Sequence, residues 1–575
     1  MRVSLSVHVV LLVGSCAIAS SFIAGCSKSA ESTTTSTTEN TEEPAGPAWF
    51  TECAAESGID FLHVTGHDQK FVFPEIMSTG AALFDMDGDG DLDAYLVQGG
   101  HWSQKEGARD GVQGNQLYEN NGQGVFKNVS QGSGADDKRY GMGVSTGDYD
   151  GDGDTDIYVS NLNRNTLLKN DGQGHFTDVT ESAGVGGSVW SASSAFLDYD
   201  RDGDLDLFVT NYIYWDEDSE LPCQDPPRGL TYCSPKSYSA PTPDTLYRNE
   251  GDGTFTDASL EVGLRLSKGN GLGVLCADFD GNGYQEIFVA NDGTPNKLWV
   301  VGEDGKWTEK GLVKGCAVDN QGRAKAGMGV SAADLDFDGD EDLLVVNLKG
   351  EDDSLYRNDG GRFSDRTPRA GLAHLSNKRT RFGVVLRDFD HDGFIDIYQA
   401  NGHVTHPIQL GEGDPFADDN NLIRGLDKMR FEQVSPLGGV AQPLIATSRA
   451  AAYGDIDGDG DLDLLIHNLD SGAHLLRNVA PKKGHWALIH VLEKSGSEAI
   501  GATFAAKAGE RIMRRQVRTT ESYCAASDGR LHFGLGQATQ LTDIQVTWSD
   551  GQTESFGTLS CDKIHTLRRG EGRSE

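Results

Sequence analysis

Seven copies of one acidic pattern, D-h-D-x-D-G-x-x-D with h aromatic or aliphatic, constrain this chain more than any other feature. They begin at Asp85, Asp148, Asp198, Asp278, Asp334, Asp388 and Asp455, at intervals of roughly 50 to 80 residues. A motif recurring at that period marks an array of supersecondary units, none of which can bury its apolar face alone. After each copy comes a β-branched or aromatic run that usually ends in Asn, as in the runs ending at Asn161 and Asn211. Next comes a second signature, L-Y-x-N-x-G-x-G-x-F-x-D, as in Leu167 to Asp178 and Leu246 to Asp257. Apolar alternation bounded by Asn/Gly turns is hairpin chemistry. Each unit therefore reads as four strands: one before the acidic loop, one after it, one at L-Y-x-N and one at F-x-D.

The ends of the array carry their own information. The seventh unit runs through His474 to Asn478 and then lacks its F-x-D strand, whereas a stray copy, Trp49-Phe50-Thr51-Glu52, precedes the first unit. One blade shared between both ends closes a ring and removes exposed strand edges. The predicted fold is all-β, a seven-bladed β-propeller over 48–480 followed by a small C-terminal β-domain over 484–570.

An oxygen-only loop with carboxylates at positions 1, 3, 5 and 9, a glycine at 6 and a backbone carbonyl at 7 suits a hard cation. Ca²⁺ is favoured over Mg²⁺, because a flexible loop tolerates the larger ion with its higher coordination number. Up to seven Ca²⁺ ions are expected. In the first loop the ligands are Asp85, Asp87, Asp89, the carbonyl of Asp91, and Asp93; in the second they are Asp148, Asp150, Asp152, Asp154 and Asp156. The third holds Asp198, Asp200, Asp202, Asp204 and Asp206, and the fifth Asp334, Asp336, Asp338, Asp340 and Asp342. The sixth uses Asp388, Asp390, Asp392, Phe394 and Asp396, and the seventh Asp455, Asp457, Asp459, Asp461 and Asp463. The fourth departs, with Asp278, Asp280, Asn282, Tyr284 and Glu286, and its lost charge makes it the expected weakest site. Carboxylates gathered this closely repel one another by roughly a kcal/mol or more per pair at an effective dielectric near 20. Metal binding is then linked to folding. A solvated acidic turn is the plain reading of one such loop; seven in register argue against it. Helical calcium modules are disfavoured because strands, not amphipathic helices, follow each loop.

The chain has 88 acidic and 49 basic residues, a formal net charge of -39. That surface repels nucleic acid and anionic lipid. At the N-terminus, Arg2 and an apolar run from Val7 to Val13 lead to Ile23-Ala24-Gly25-Cys26, which resembles a bacterial lipobox with Cys26 as the lipidated residue. Val13-Gly14-Ser15-Cys16 is a weaker rival, with too little apolar sequence before it, and ordinary cleavage without lipid or an uncleaved anchor are the alternatives. Residues 1–25 read as a lipoprotein-type signal peptide and 26–47 as a Ser/Thr/Glu-rich tether. The expected location is exported, in the cell envelope or on its outer surface, with the membrane reached through the lipid anchor only. Cys223 and Cys233 flank a Pro/Gly-rich loop and form the preferred disulfide; Cys524 and Cys561 share the C-terminal domain and form a second candidate pair. Cys53, Cys276 and Cys316 read as buried thiols.

The repeats resemble the FG-GAP/VCBS repeats of integrin α-subunit propellers and their bacterial relatives. The region from Trp486 to Arg569 resembles the ASPIC/UnbV domain through Ala499-Ile500-Gly501-Ala502, the run Arg530 to Gly536, and Val546-Thr547-Trp548-Ser549-Asp550-Gly551. Together they resemble the cartilage-acidic-protein family, which implies an extracellular calcium-binding protein, often of unassigned ligand, and implies no reaction.

The acidic loops join strands 1 and 2 of each unit, whereas the long insertions, 98–116, 212–245 and 402–430, mostly join strands 2 and 3. Ligand binding is therefore expected on the face opposite the metals, with Tyr212, Tyr214, Trp215, His403 and His406 as candidate contacts. Self-packing of a large loop is the alternative for the aromatics, and a hydrogen-bonded loop histidine for the imidazoles. The asparagines that end the second strands, such as Asn161 and Asn211, read as satisfying turn backbone. Gly143-Val144-Ser145-Thr146-Gly147 spells G-x-S-x-G but runs into a metal loop rather than a helix, so it reads as coincidence. The Arg-rich strand around Arg511 to Arg518 reads as an outward strand face in water, with docking on the acidic propeller as the alternative. The function expected is cell-surface adhesion or recognition of an extracellular protein or glycan. A carbohydrate-active enzyme on the same scaffold and a purely structural envelope protein are the alternatives.

Overall fold

A computed structural model describes residues 46–574 except 69, 104–110, 227–228, 303–305 and 406–412. The expected signal peptide, Cys26, most of the expected tether and His406 lie outside the described residues. Among those described, six four-stranded antiparallel sheets and the four antiparallel strands Ala81–Phe84, Asp93–Leu96, Gln116–Asn120 and Phe126–Asn128 of a six-stranded sheet form the repeat region. The second is typical: Gly141–Gly147, Asp156–Asn161, Thr166–Asn170 and Phe176–Asp178 pair in sequence order. Their innermost strands are Ala81–Phe84, Gly141–Gly147, Ser191–Leu197, Gly271–Ala277, Val330–Ala333, Arg381–Arg387 and Ser448–Gly454. Each neighbours the next, and the last returns to the first, which closes the ring. The predicted shared blade is present: Phe50–Glu52 pairs antiparallel with His474–Asn478 and supplies the seventh sheet's fourth strand. Large apolar side chains from facing sheets fill the spaces between blades, such as Phe84, Tyr95 and Ile157 between the first two.

The inner strands are rich in Gly, Ala and Ser, and the reason lies in the channel. A β-carbon added at Gly143 would sit 2.5 Å from Ala192 O, and one at Gly329 would sit 2.2 Å from Phe382 O. Only glycine lets neighbouring strands approach so closely. What fills the channel comes from the C-terminal domain. Thr520–Glu521 and Ala525–Ala526 form a short hairpin, and Ala525–Ala526 extends the first blade's sheet in parallel with Ala81–Phe84. The hairpin tip touches several other blades. Ser522 N–H donates to Val330 O (2.7 Å), and its hydroxyl accepts from Val384 N (2.9 Å). Cys524 N–H donates to Ser193 Oγ (3.1 Å), and the buried Tyr523 ring packs edge-on against Phe382. The hairpin is a plug.

The plug carries charge into the interior. Glu521 accepts from Ser331 Oγ (2.7 Å) and pairs with Arg387, while Arg518 pairs with Glu341 (2.6 Å); all four charged side chains are buried. The arginines hold the Glu521 carboxyl below its ordinary range against the opposing effect of burial.

The rest of the C-terminal domain covers the face that bears the acidic loops, which corrects the reading of the Arg-rich strand as a solvated face. Arg511 donates to Gly393 O (3.1 Å) and lies over the Phe337 and Phe394 rings, and Arg514 donates to Gly339 O (2.9 Å). Gln516 exchanges hydrogen bonds with the Asp278 backbone, and Arg530 donates to Asp455 O (3.1 Å). An acidic surface attracts guanidinium groups, which take loop carbonyls as acceptors.

The Cys223–Cys233 disulfide forms as expected. Cys524 and Cys561 do not pair: Cys524 is buried in the plug and Cys561 is partly exposed. Replacing Glu521 with Gln leaves Arg387 facing a neutral partner in the interior, so the Ca²⁺-loaded variant should lose about 3 kcal/mol of stability. The denaturant midpoint of full-length protein measures this, and an unchanged midpoint would refute the plug's role in holding the ring.

Candidate metal centres

Every acidic loop is built by the same three hydrogen bonds. The position-1 carboxylate accepts from the position-6 glycine N–H, from Gly90 to Asp85 (3.0 Å) through Gly460 to Asp455 (3.0 Å). The position-5 side chain accepts from the position-7 N–H, which curls the loop around its centre. The position-9 carboxylate reaches back to the position-2 N–H. Asn282 makes the position-5 bond as well as any aspartate (2.7 Å to Tyr284 N), so the fourth loop keeps its shape and loses only charge. Position 4 is left-handed throughout. Gly88, Gly151, Gly281 and Gly458 suit it, while Arg201, Phe337 and His391 adopt it with φ near +60°.

These bonds bring the predicted ligands together. Asp85, Asp87 and Asp89 offer oxygens within 4.8 Å of one another, as do Asp148, Asp150 and Asp156; Asp198, Asp200 and Asp206; and Asp278, Asp280 and Glu286. Buried carboxylate oxygens lack any hydrogen-bond partner in six of the loops: Asp150, Asp198, Asp280, Glu286, Asp336, Asp388 and Asp457 each hold one. An orphaned buried anionic oxygen is costly. Its recurrence among the predicted ligands, at position 3 in four loops, position 1 in two and position 9 in one, fits a hard divalent cation.

Burial pushes the position-9 carboxyls far up, Asp93, Asp156 and Glu286 to about 8 and Asp206 to about 9. Asp342, Asp396 and Asp463 are likewise pushed well above the usual range by burial. A bound cation favours the ionised form and opposes that shift.

Two groups of site residues escaped the motif reading. Basic side chains lie against the position-3 and position-5 carboxylates: Lys169 on Asp150 and Asp152, Arg357 on Asp336 and Asp338, Arg424 on Asp390 and Asp392, Arg477 on Asp457. Their signal is the basic residue one place before the Asn or Gly of the third strand. The first loop has Glu119 there instead. The second group is that Asn itself. Its N–H donates to the position-9 carboxylate of its own blade, and its side-chain amide donates to the position-2 carbonyl of the preceding blade. Asn170 joins Asp156 to Met86 O, Asn249 joins Asp206 to Tyr149 O, and Asn358 joins Asp342 to Phe279 O. Asn120 and Asn478 do the same for Ile456 O and Phe389 O. Val301 and Gly425 stand in this place in the fourth and sixth blades, and Glu286 there keeps a free oxygen.

On the opposite face the aromatics divide. Tyr212 and Trp215 are buried, with Trp190 and Phe73 against them, and are not offered to a ligand; Tyr214 is half exposed. The reason is packing from outside the insertion, where Phe73 and Trp190 close over them. His403 Nε2 lies 3.4 Å from Asp418, a loop contact. The strand-ending asparagines serve turn backbone, as Asn211 to Pro243 O (2.9 Å) and Asn468 to Gly472 O (2.8 Å). Ser145 of the G-x-S-x-G spelling is fully buried and meets Ser194 Oγ at 2.8 Å.

The sequence matches the family model described as ASPIC and UnbV over 492–574 and that described as FG-GAP-like repeat over 85–159, 148–209, 237–289, 278–345 and 334–398. It is 27% identical over 315 residues to cartilage acidic protein 1 of Xenopus tropicalis and 26% identical over 323 residues to that of Homo sapiens. The alignments cover 52% and 53% of this chain and 44% of each relative, so the chain spans less than half the length of the curated relatives it matches. Among solved structures, YCF48 bound to D1 peptide aligns over 73% of this chain and 98% of its own, with 11% identity and a TM-score of 0.38.

Chelation of the metal-loaded protein should lower its melting temperature by about ten degrees or more. Asp148→Ala should destabilise more than Asn282→Ala, because it removes both a charge and the anchor of the loop. In chelator the position-9 carboxyls bind more protons folded than unfolded. Stability should then fall as pH rises from about 4 to about 8, the folded state binding the excess protons. Saturating Ca²⁺ should abolish that slope and release protons. Urea midpoints across pH, with and without chelator, test both statements.

Proposed function

Because the chain belongs to the cartilage-acidic-protein-like family, FG-GAP-repeat β-propellers with a C-terminal ASPIC/UnbV domain, we propose that it is an exported, calcium-stabilised recognition protein. It binds an extracellular protein or glycan on the face opposite its metal loops and catalyses no reaction. One observation carries this reading: the C-terminal domain covers the metal-loop face and plugs the channel, which leaves the insertion face open. That face exposes apolar side chains outside the core, including Val64, Tyr214, Leu230, Leu266 and Ile445. Calcium in the loops then serves the scaffold, since rigid elements hold a binding surface in register.

Among the described residues Ser145 is buried beside Ser194, so the G-x-S-x-G spelling gives no support to turnover. Export and a lipid anchor at Cys26 complete the proposal. Glycan and peptide arrays probed with the Ca²⁺-loaded protein should identify a ligand. Tyr214→Ala with Leu230→Asp should weaken binding to it about tenfold or more, equivalent to about 1.4 kcal/mol. Ile512→Asp, on the C-terminal domain, should leave it unchanged. Loss of binding with Ile512→Asp alone would move the recognition surface to the C-terminal domain.

A further inference from the structure

Apart from the oxygen loops, the C-terminal domain gathers a set of donors of a different kind. His485 opens the strand His485–Leu492, and Cys561 and Asp562 form the turn before Ile564–Arg568, which pairs with that strand in parallel. Backbone bonds fix both segments: Asp562 N–H donates to Trp486 O (2.7 Å), Trp486 N–H to Asp562 Oδ1 (3.3 Å), and Cys561 N–H to Thr539 O (3.0 Å). Asp562 is held in the left-handed region (φ 57°), which costs an L-residue about 1 kcal/mol and aims its carboxylate at the histidine.

Three ligand atoms converge there. His485 Nδ1 is 2.7 Å from Asp562 Oδ2, and Cys561 Sγ is 3.2 Å from the same oxygen. All three lie within 4.8 Å of one another, and the histidine and aspartate side chains are about two-fifths exposed, so solvent reaches them. We propose that His485, Cys561 and Asp562 form a binding site for a borderline d-block cation of the Zn²⁺ class, separate from the seven oxygen loops.

The donor set decides the class. One imidazole, one thiolate and one carboxylate suit Zn²⁺, whereas Ca²⁺ takes oxygen ligands only. In a tetrahedral site with Zn–N and Zn–O near 2.1 Å and Zn–S near 2.3 Å, ligand atoms stand about 3.3 to 3.8 Å apart. The two hydrogen bonds onto Asp562 Oδ2 therefore open by up to about 0.6–1 Å as the ion replaces them. The imidazole binds neutral and the thiol proton leaves to solvent, which leaves a thiolate–metal bond and a fourth position for water. A nucleophilic reading of the same triad is disfavoured by geometry. The thiol donates to the carboxylate, and no bond joins it to the imidazole that would deprotonate it. Cys561 is also the one free cysteine among the described residues that is not buried, and metal ligation accounts for an accessible thiol left out of any disulfide.

The test uses the full chain in saturating Ca²⁺, so that the oxygen loops do not take up Zn²⁺. Equilibrium dialysis should find one Zn²⁺ retained per chain. Cys561→Ser and His485→Gln should each weaken retention about tenfold or more while leaving the Ca²⁺-loaded melting temperature unchanged. In the unmutated protein, Zn²⁺ but not additional Ca²⁺ should slow alkylation of Cys561, read by mass spectrometry. The Co²⁺-substituted protein should show a sulfur-to-metal charge-transfer band that Cys561→Ser removes. Full retention of Zn²⁺ by either variant would overturn the site. So would alkylation of Cys561 at the same rate with and without Zn²⁺.

Discussion

The structure depends on one buried carboxylate per blade. The side chain at position 9 of each acidic loop ties the start of the second strand to the loop's own backbone, and in five blades to the Asn of the third strand. That Asn then holds the position-2 carbonyl of the blade before it. Loop and blade are thus joined to the neighbouring blade at five of the seven junctions by one chain of hydrogen bonds. Its members are anionic and nearly all removed from water, an arrangement that is unfavourable unless positive charge compensates it. Lysines and arginines of the third strands supply part of that charge from the rim. The orphaned oxygens facing the loop centres mark what the side chains leave unmet.

The C-terminal domain answers the same problem from outside. Arg511, Arg514 and Arg530 take loop carbonyls, and Arg518 takes Glu341, which is not among the predicted ligands, so the covering adds cationic charge to the acidic face without competing for the predicted ligand oxygens. The three loops with a non-glycine residue in the left-handed position are ones the domain touches. Arg201 donates to Ser549 O (2.9 Å), Phe337 lies under Arg511, and the His391 ring meets His532. Contact with the domain offsets the local backbone cost. The plug carries the covering through to the channel, so the ring is closed twice: once by the strand Phe50–Glu52, and once at its axis by Thr520–Ala526.

Most of the propeller was legible because its determinants are local. The acidic loop, the third-strand signature and the missing last strand all fall within short windows, and the Cys223–Cys233 bridge spans ten residues. What escaped was non-local. Thr519 to Ser527 has no apolar period to mark it; only the inner strands of the distant blades make a socket for it. The Arg-rich strand gave its charge but not its partner. Tyr212 and Trp215 were legible as aromatics in an insertion, yet whether such a loop shows or hides them depends on Phe73 and Trp190, far away in sequence. The basic residue of the third strand was present in the signature and passed over, because its meaning appears only once the hairpin folds it against the loop. His485 and Asp562 lie 77 residues apart and meet only through a parallel strand pair.

The two faces of the ring obey different rules for the same reason. On the acidic-loop face the link between strands 1 and 2 has one length in every blade, because the three fixed hydrogen bonds of the loop admit no insertion. On the other face the link between strands 2 and 3 ranges from residues 162–165 to residues 212–244, because nothing there requires a set of atoms to converge. Loop closure entropy grows slowly with length, so the ring tolerates long insertions on this side at little thermodynamic cost. Rigidity and variability are therefore separated by the length of a single strand. A surface for recognition gains from both: a fixed frame beneath, and loops above it whose chemistry is free to differ from blade to blade.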